Sequence, residues 1–328
     1  MTLTKHRHVS TSAVVKGLPT GIAFNNGDRL SHDKVGLMQP TPKDTPFDEM
    51  RQKMKETGYV FIKGLIPRDD VLRVRENYFS KLADAGMLRA GSGPREGIFN
   101  DSMPPDAAAG IGSVSEDRLD TVTQKCFEAH QDPQYLAFLE HPALRNFIND
   151  FMRWKQDVLC TRTLLRHSVP GAKSTGIHYD KIFLRKGESE FLTAWVPIGD
   201  IAMDGGGLAY LEDSSNIGQI TEDEFNTRAA EFSPEQRISA YNVNMAAGGV
   251  ITEDAADYTE KVGQGRKWLI ADYEAGDVVF HDPYMVHTAT VNQSERGIIR
   301  LSTDLRFYQK GDDLDERWMS AWFPGDGL

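Results

Sequence analysis

The spacing of apolar positions changes character once along the chain. In "TPFDEMRQKMKETGYVFIKG", Phe47, Met50 and Met54 recur at helical intervals, which predicts a helix closed by Gly58. The β-branched and aromatic run "YVFIKG" then predicts a short strand. Pro67, Asp69 and Asp70 open a second helix with Val71, Val74 and Tyr78 on one face. Residues 134–154 predict a helix pair broken at His141-Pro142, because a proline drives the preceding residue out of helical backbone. Farther on the runs become short and β-rich: "DVLCTRTLLRHSVPG", "EFLTAWVPIGD", "GGLAYLED", "GDVVFHDPYMVHTATVN" and "GIIRLSTDLRFY". Gly, Pro and Asp punctuate them, and no regular helices alternate with them as in a βαβ pattern. Helices first and strands afterwards predict a mainly β fold with flanking α-helices, its sheets antiparallel and closed.

Residues 1–46 show no sustained period and read as a partly irregular N-terminal arm. Residues 47–328 read as one domain, with a helix-rich front at 47–156 and a β core at about 157–310. The segment from about 214 to 274 is too long for an idle loop, and reads as an insertion or lid. There is no internal repeat, heptad or low-complexity tract.

Composition narrows the function classes. A net charge of −11 argues against a general nucleic-acid or anionic-membrane binder, and no apolar run is long enough for a membrane span. Cys126 and Cys160 cannot build a disulfide framework and lack zinc-site spacing, so buried free thiols in a cytoplasmic protein are expected. The glycines at 205–207 read as a hairpin turn, since no helix and no Lys-Ser/Thr follow them.

The chemistry starts at "KSTGIHYDKIFL". In an extended strand His178 and Asp180 project to one face, with Tyr179 turned away. An imidazole and a carboxylate are good ligands for divalent iron, but two are too few, so a third must fold back from a distant strand. His287 is the candidate; His281 is its rival by chemistry, though it sits beside the Asp282-Pro283 turn. Downstream, Arg300 and Ser302 share a strand face. A guanidinium pointing into a core is costly unless an anion meets it or Asp304 pairs with it. Its fork matches a carboxylate, and a serine hydroxyl can add a further bond. Arg296, the other arginine nearby, falls in a turn and reads as exposed. A metal pair beside a buried arginine implies a ligand that chelates at one end and is anionic at the other, as a 2-oxo dicarboxylic acid is.

The ordered set "HYD…H…R", with "GYVFIKGLIP", "LTAWVPIGD", "GGLAYLEDS" and "GDVVFHDPYMVH" around it, resembles the phytanoyl-CoA dioxygenase family of iron(II)- and 2-oxoglutarate-dependent oxygenases. The likeness runs from about residue 47 to about 310. It implies a double-stranded β-helix (jelly roll, cupin-like) core with the metal between its sheets. It further implies iron held by His178, Asp180 and His287, and 2-oxoglutarate held at its far carboxylate by Arg300, with Trp195 lining the pocket. Two departures stand out. Arg300 follows His287 at slightly longer spacing than the family pattern, which places extra residues in the turn at "NQSERG". Ala289 occupies the position of a small hydroxyl residue, leaving Thr288, Thr290 or Ser302 to supply that group.

The implied reaction consumes O2 and decarboxylates 2-oxoglutarate to succinate while oxidising, most simply hydroxylating, a small organic molecule. Members that halogenate usually lack the carboxylate ligand, so Asp180 favours hydroxylation or a related oxidation. A secondary metabolite is the expected substrate class and an acyl-CoA the alternative. A homodimer is expected by analogy alone. The reading from a different class is a metal-binding jelly roll without oxidative activity, such as a binding protein or isomerase.

Overall fold

The computed structural model describes residues 22, 24, 29–110, 120–233, 236 and 250–322. Among the described residues, ten strands form two sheets. The larger contains β2 (Tyr59–Ile62), β3 (Asp157–Leu159), β4 (Leu164–Ser168), β5 (Leu192–Pro197), β8 (Val278–His281) and β10 (Arg300–Gln309). All of its pairings are antiparallel, in the order β2-β8-β5-β10, with β4 and then β3 along the far edge of β10. The smaller runs β1 (Val35–Leu37), β7 (Trp268–Ile270), β6 (Leu208–Leu211), β9 (His287–Ala289); only β1–β7 is parallel. Facing one another, the two sheets make the jelly roll.

Strand alternation sorts the core into layers. Trp195, Val279, Tyr210, Tyr273, Leu208 and Ala289 fill the space between the sheets. The opposite face of the larger sheet, including Ala194, Phe280, Leu301 and Leu305, packs under the helical front. That front comprises α1 (Phe47–Thr57), α2 (Arg68–Ala83), α3 (Thr121–His130), α4 (Pro133–Leu139) and α5 (Pro142–Met152). Phe147 of α5 stacks on Phe280 at 4.8 Å between ring centroids, and truncating either to Ala costs about 3–5 kcal/mol. Local chemistry explains the helix ends. Gly58 closes α1 at φ +77°, and Asp132 caps α4 with Pro133 at its first position. His141 precedes Pro142 and caps α5 through Nδ1, producing the expected break.

Three local expectations are corrected. Trp268–Ile270 is a strand of the smaller sheet, so the presumed insertion ends before it. The remainder of that segment carries α6 (Ser215–Ala229) and α7 (Ala255–Lys261); residues 237–249 lie outside the described set. His178 and Asp180 do not share a strand: His178 forms an isolated bridge to His287, and Asp180 opens a 3-10 turn at Asp180–Ile182. Lastly, Val35–Leu37 add a strand where the sequence shows no period, with Ile22 and Phe24 buried against the same layer. The hydrogen bonds of β1 come from β7, so its own residues need carry no pattern.

Candidate functional site

The site forms where β9 meets the loop that carries the first two candidate ligands. His178 and His287 exchange backbone hydrogen bonds in both directions, at 2.9 and 2.8 Å. This brings their rings to 4.2 Å between centroids. Each ring donates Nδ1–H to a carbonyl two residues back: His178 to Gly176 at 2.8 Å, His287 to Met285 at 2.9 Å. A carbonyl can only accept, so the proton sits on Nδ1 and the Nε2 lone pair is free. Both Nε2 atoms face Asp180 Oδ1, at 3.9 Å from His178 and 3.8 Å from His287. One ligand atom from each residue lies within 4.8 Å of the others, and all three side chains are buried.

Electrostatics hold His178 and Asp180 in their metal-binding protonation states. Burial, reinforced by the neighbouring His287, pushes His178 down to about 3, so its imidazole is neutral at pH 7. Burial alone would push the Asp180 carboxyl up. Arg306 outweighs it, and Asp180 stays well below the ordinary carboxylate range. Two neutral imidazole nitrogens and one carboxylate oxygen are the donor set that suits ferrous iron with open positions.

The remaining predicted residues occupy the inner face of β10 and its neighbours. Arg300 is buried and its Nε has no hydrogen-bond partner among the described residues; Ser302 Oγ and Trp195 Nε1 are likewise without one. The Arg300 guanidinium lies 5.8 Å from the Trp195 ring centre. Burial lowers it to about 10 despite nearby Asp304. Such a collection of orphaned buried donors is costly unless an anion satisfies it, and a carboxylate fits. Of the candidate hydroxyls, Ser302 shares the inner face with Arg300. Thr288 and Thr290 donate instead to the carbonyls of Thr175 and Gly207. Arg296 is exposed in the turn.

Beyond His281, the rival expected beside the turn, several residues here escaped the sequence reading. His281 itself is fully buried and faces the interior, and neither ring nitrogen has a hydrogen-bond partner among the described residues. Its Nε2 lies 3.7 Å from the other carboxylate oxygen of Asp180, Oδ2, so it approaches the side away from the imidazole pair. Arg306 and Thr193 bind the Asp180 carboxylate directly. Arg166 and Ser168 stand opposite Ser302 and Arg300 in the β4–β10 register, and Arg166 Nε and Ser168 Oγ have no hydrogen-bond partner among the described residues. Continuing the alternation from Arg300 through Ser302 to Asp304 and Arg306 would have placed the latter two on the same face. Nothing in the sequence pairs Thr193 with them.

Tyr179, between the first two ligand candidates, turns outward. Its hydroxyl bonds Glu222 of α6 at 2.9 Å, and Arg185 also grips Glu222. Gly218 lets α6 sit this close, because a Cβ there would collide with the Tyr284 carbonyl oxygen.

Comparison with known proteins places these features. The family model described as phytanoyl-CoA dioxygenase (PhyH) matches residues 54–301. No curated protein matches the chain. Among solved structures, the chain is similar to the non-heme alpha ketoglutarate dependent carbocyclase SnoK from nogalamycin biosynthesis. The identity is 18%, covering 82% of this chain and 87% of that one, with a TM-score of 0.49. EctD from S. alaskensis with bound Fe is 12% identical over 86% and 83% of the two chains, at a TM-score of 0.47. AviO1 from Streptomyces viridochromogenes Tue57 is 14% identical over 81% and 96%, at 0.46.

Proposed function

The chain belongs to the phytanoyl-CoA dioxygenase family and is an iron(II)- and 2-oxoglutarate-dependent oxygenase; on that premise we propose that His178, Asp180 and His287 hold the iron and that it hydroxylates a small organic molecule. The observation that carries this assignment is the convergence of two Nε2 lone pairs and Asp180 Oδ1 beside a row of unpartnered buried donors. When bound, iron(II) and 2-oxoglutarate supply the oxidising chemistry: O2 is consumed, succinate and carbon dioxide leave, and one oxygen atom goes into the substrate.

The protein's own part is positioning. Gly176 and Met285 carbonyls fix the tautomers of the two histidines, so both present a lone pair without a proton having to move first. Arg300 binds the 5-carboxylate of 2-oxoglutarate through its fork, Ser302 Oγ adds a donor, and Trp195 lines the pocket. Trp195, Tyr273, Leu208 and Ala289 exclude water from the reacting end.

The substrate in this reading is a small molecule free of coenzyme A, since a chain of net charge −11 is poorly suited to a polyanionic carrier; a secondary metabolite fits that description. Two buried cysteines, Cys126 and Cys160, outside any disulfide among the described residues agree with work in the reducing cytoplasm. A candidate-substrate screen scored by succinate release under air tests the proposal. Absence of the weak visible band on anaerobic addition of iron(II) and 2-oxoglutarate, together with no succinate in any reaction, would favour a non-oxidative metal-binding jelly roll.

A further inference from the structure

We propose that Arg306 and Thr193 are positioning residues that make Asp180 a one-oxygen ligand and withdraw charge from it, keeping coordination positions open on the iron. The inference rests on the iron assignment above and concerns side chains that assignment does not use.

The sheet register builds the arrangement. Arg306 of β10 is directly opposite Thr193 of β5, and Thr193 is opposite His281 of β8. These three neighbouring strands therefore lay a transverse row of polar side chains on the inner face of the larger sheet. Asp180 contacts that row. Thr193 Oγ1 donates to Oδ2 at 2.6 Å, Arg306 Nε donates to Oδ2 at 3.2 Å, and Arg306 Nη2 donates to Oδ1 at 2.9 Å. Arg306 is 1% exposed, while Asp180 and Thr193 are fully buried. The guanidinium rests 5.4 Å from the Trp318 ring centre, and Trp318 is in turn tied to the Phe183 carbonyl, so the fork has a firm backing.

Counting lone pairs shows the consequence. A carboxylate oxygen has about two acceptor sites. Both sites of Oδ2 are taken, by a hydroxyl and a guanidinium N–H. Oδ1 has one taken and one free, and it is the oxygen that faces the two imidazoles. Asp180 can then offer a metal one lone pair from one oxygen, and cannot swing to chelate with both. That matters for this chemistry, because 2-oxoglutarate needs two open positions and O2 a third; a two-oxygen Asp180 would remove one. The cation behind the carboxylate also makes it a weaker electron donor than a free one, and at this burial little solvent screens the effect. A pair serving only to stabilise the core has no reason to leave one oxygen's lone pair aimed at two unprotonated ring nitrogens.

The test uses the full chain under anaerobic conditions, with iron(II) and 2-oxoglutarate added, and reads the visible absorption band of the complex. In Arg306→Gln the iron becomes more electron-rich and the band moves to longer wavelength. Arg306→Lys, which keeps the charge, leaves it near the wild-type position. Thr193→Val is nearly isosteric and loses only the Oδ2 hydrogen bond; with a lone pair of Oδ2 freed to chelate, iron(II) binding tightens by about tenfold, measured by titration, without a change of more than a few degrees in melting temperature. An Arg306→Gln band at the wild-type wavelength overturns the inference. Should Arg306→Gln not fold, Thr193→Val decides, and unchanged iron affinity there overturns it equally. A wild-type protein that gives no band overturns the iron and 2-oxoglutarate assignment itself, so the two failures are told apart by the wild-type control.

Discussion

Replacing Arg300 with methionine should stabilise the ligand-free protein while crippling its capture of 2-oxoglutarate. Burial takes the guanidinium from 12.5 down to about 10, even with Asp304 nearby pulling the other way. A group whose folded-state pKa is depressed is destabilised in its charged form, and for a base that penalty is fully present below the folded value of about 10. At about 1.4 kcal/mol per pKa unit, the native state at pH 7 carries a cost of about 3 kcal/mol for holding this charge. Methionine fills similar volume without the charge. Leaving Asp304 without its cationic neighbour takes back part of the gain. At roughly 2 °C per kcal/mol for a chain of this length, the melting temperature rises by up to about 6 °C. Binding moves the other way. The variant loses a charge-assisted fork and leaves a ligand carboxylate buried without its partner, at about 3–4 kcal/mol, which raises the 2-oxoglutarate requirement by about two to three orders of magnitude. Thermal melts with and without 2-oxoglutarate, beside succinate release at increasing 2-oxoglutarate, read both effects. A variant that melts lower and needs no more 2-oxoglutarate would refute the reasoning and make Arg300 a core partner of Asp304.

Asp180→Ala and His287→Ala should each abolish succinate release and iron(II) binding in a protein that still folds by circular dichroism; full activity in His287→Ala would move the third ligand to His281, whose Nε2 is 3.7 Å from Asp180. Glu222→Ala should cost about 3–5 kcal/mol, because Arg185 and Glu222 are each under 5% exposed and the arginine loses its partner. A melting temperature within a degree of wild type would show the pair to be solvated in solution. Acid should destabilise the fold through His130 and His167, both lowered by burial to about 4 from 6.5. Their neutral forms are preferred in the native state, so stability present above pH 6.5 is lost as the pH falls towards 4, by about 3 kcal/mol for each. Calorimetry between pH 7 and 4 tests this, and a flat melting temperature down to pH 5 would contradict it.

Much of this molecule was legible in the order of its residues. Helical spacing marked α1, α2, α4 and α5, and the five β-rich runs each hold strands of the jelly roll. Such elements report themselves because a buried face imposes its own period on the local sequence. His178, Asp180, His287 and Arg300 also stood out in the sequence as candidates, since their residue types are chemically unusual for an interior and occur in a telling order, and the fold brings the first three together. What stayed hidden depended on distant partners. Trp268–Ile270 looked like part of an insertion because its place is set by β6 and β1. The H-x-D pair reaches the site from a bridge and a turn rather than a strand, because the backbone of His287 determines where His178 stops. Thr193, His281 and Arg306 gave no sign that they belong together. They become neighbours only through the pairing of β10, β5 and β8, and a register shift of one residue would have turned them to opposite faces. Local periodicity states which side of a strand is buried; only cross-strand register, settled by the packing of the whole domain, states what that side meets.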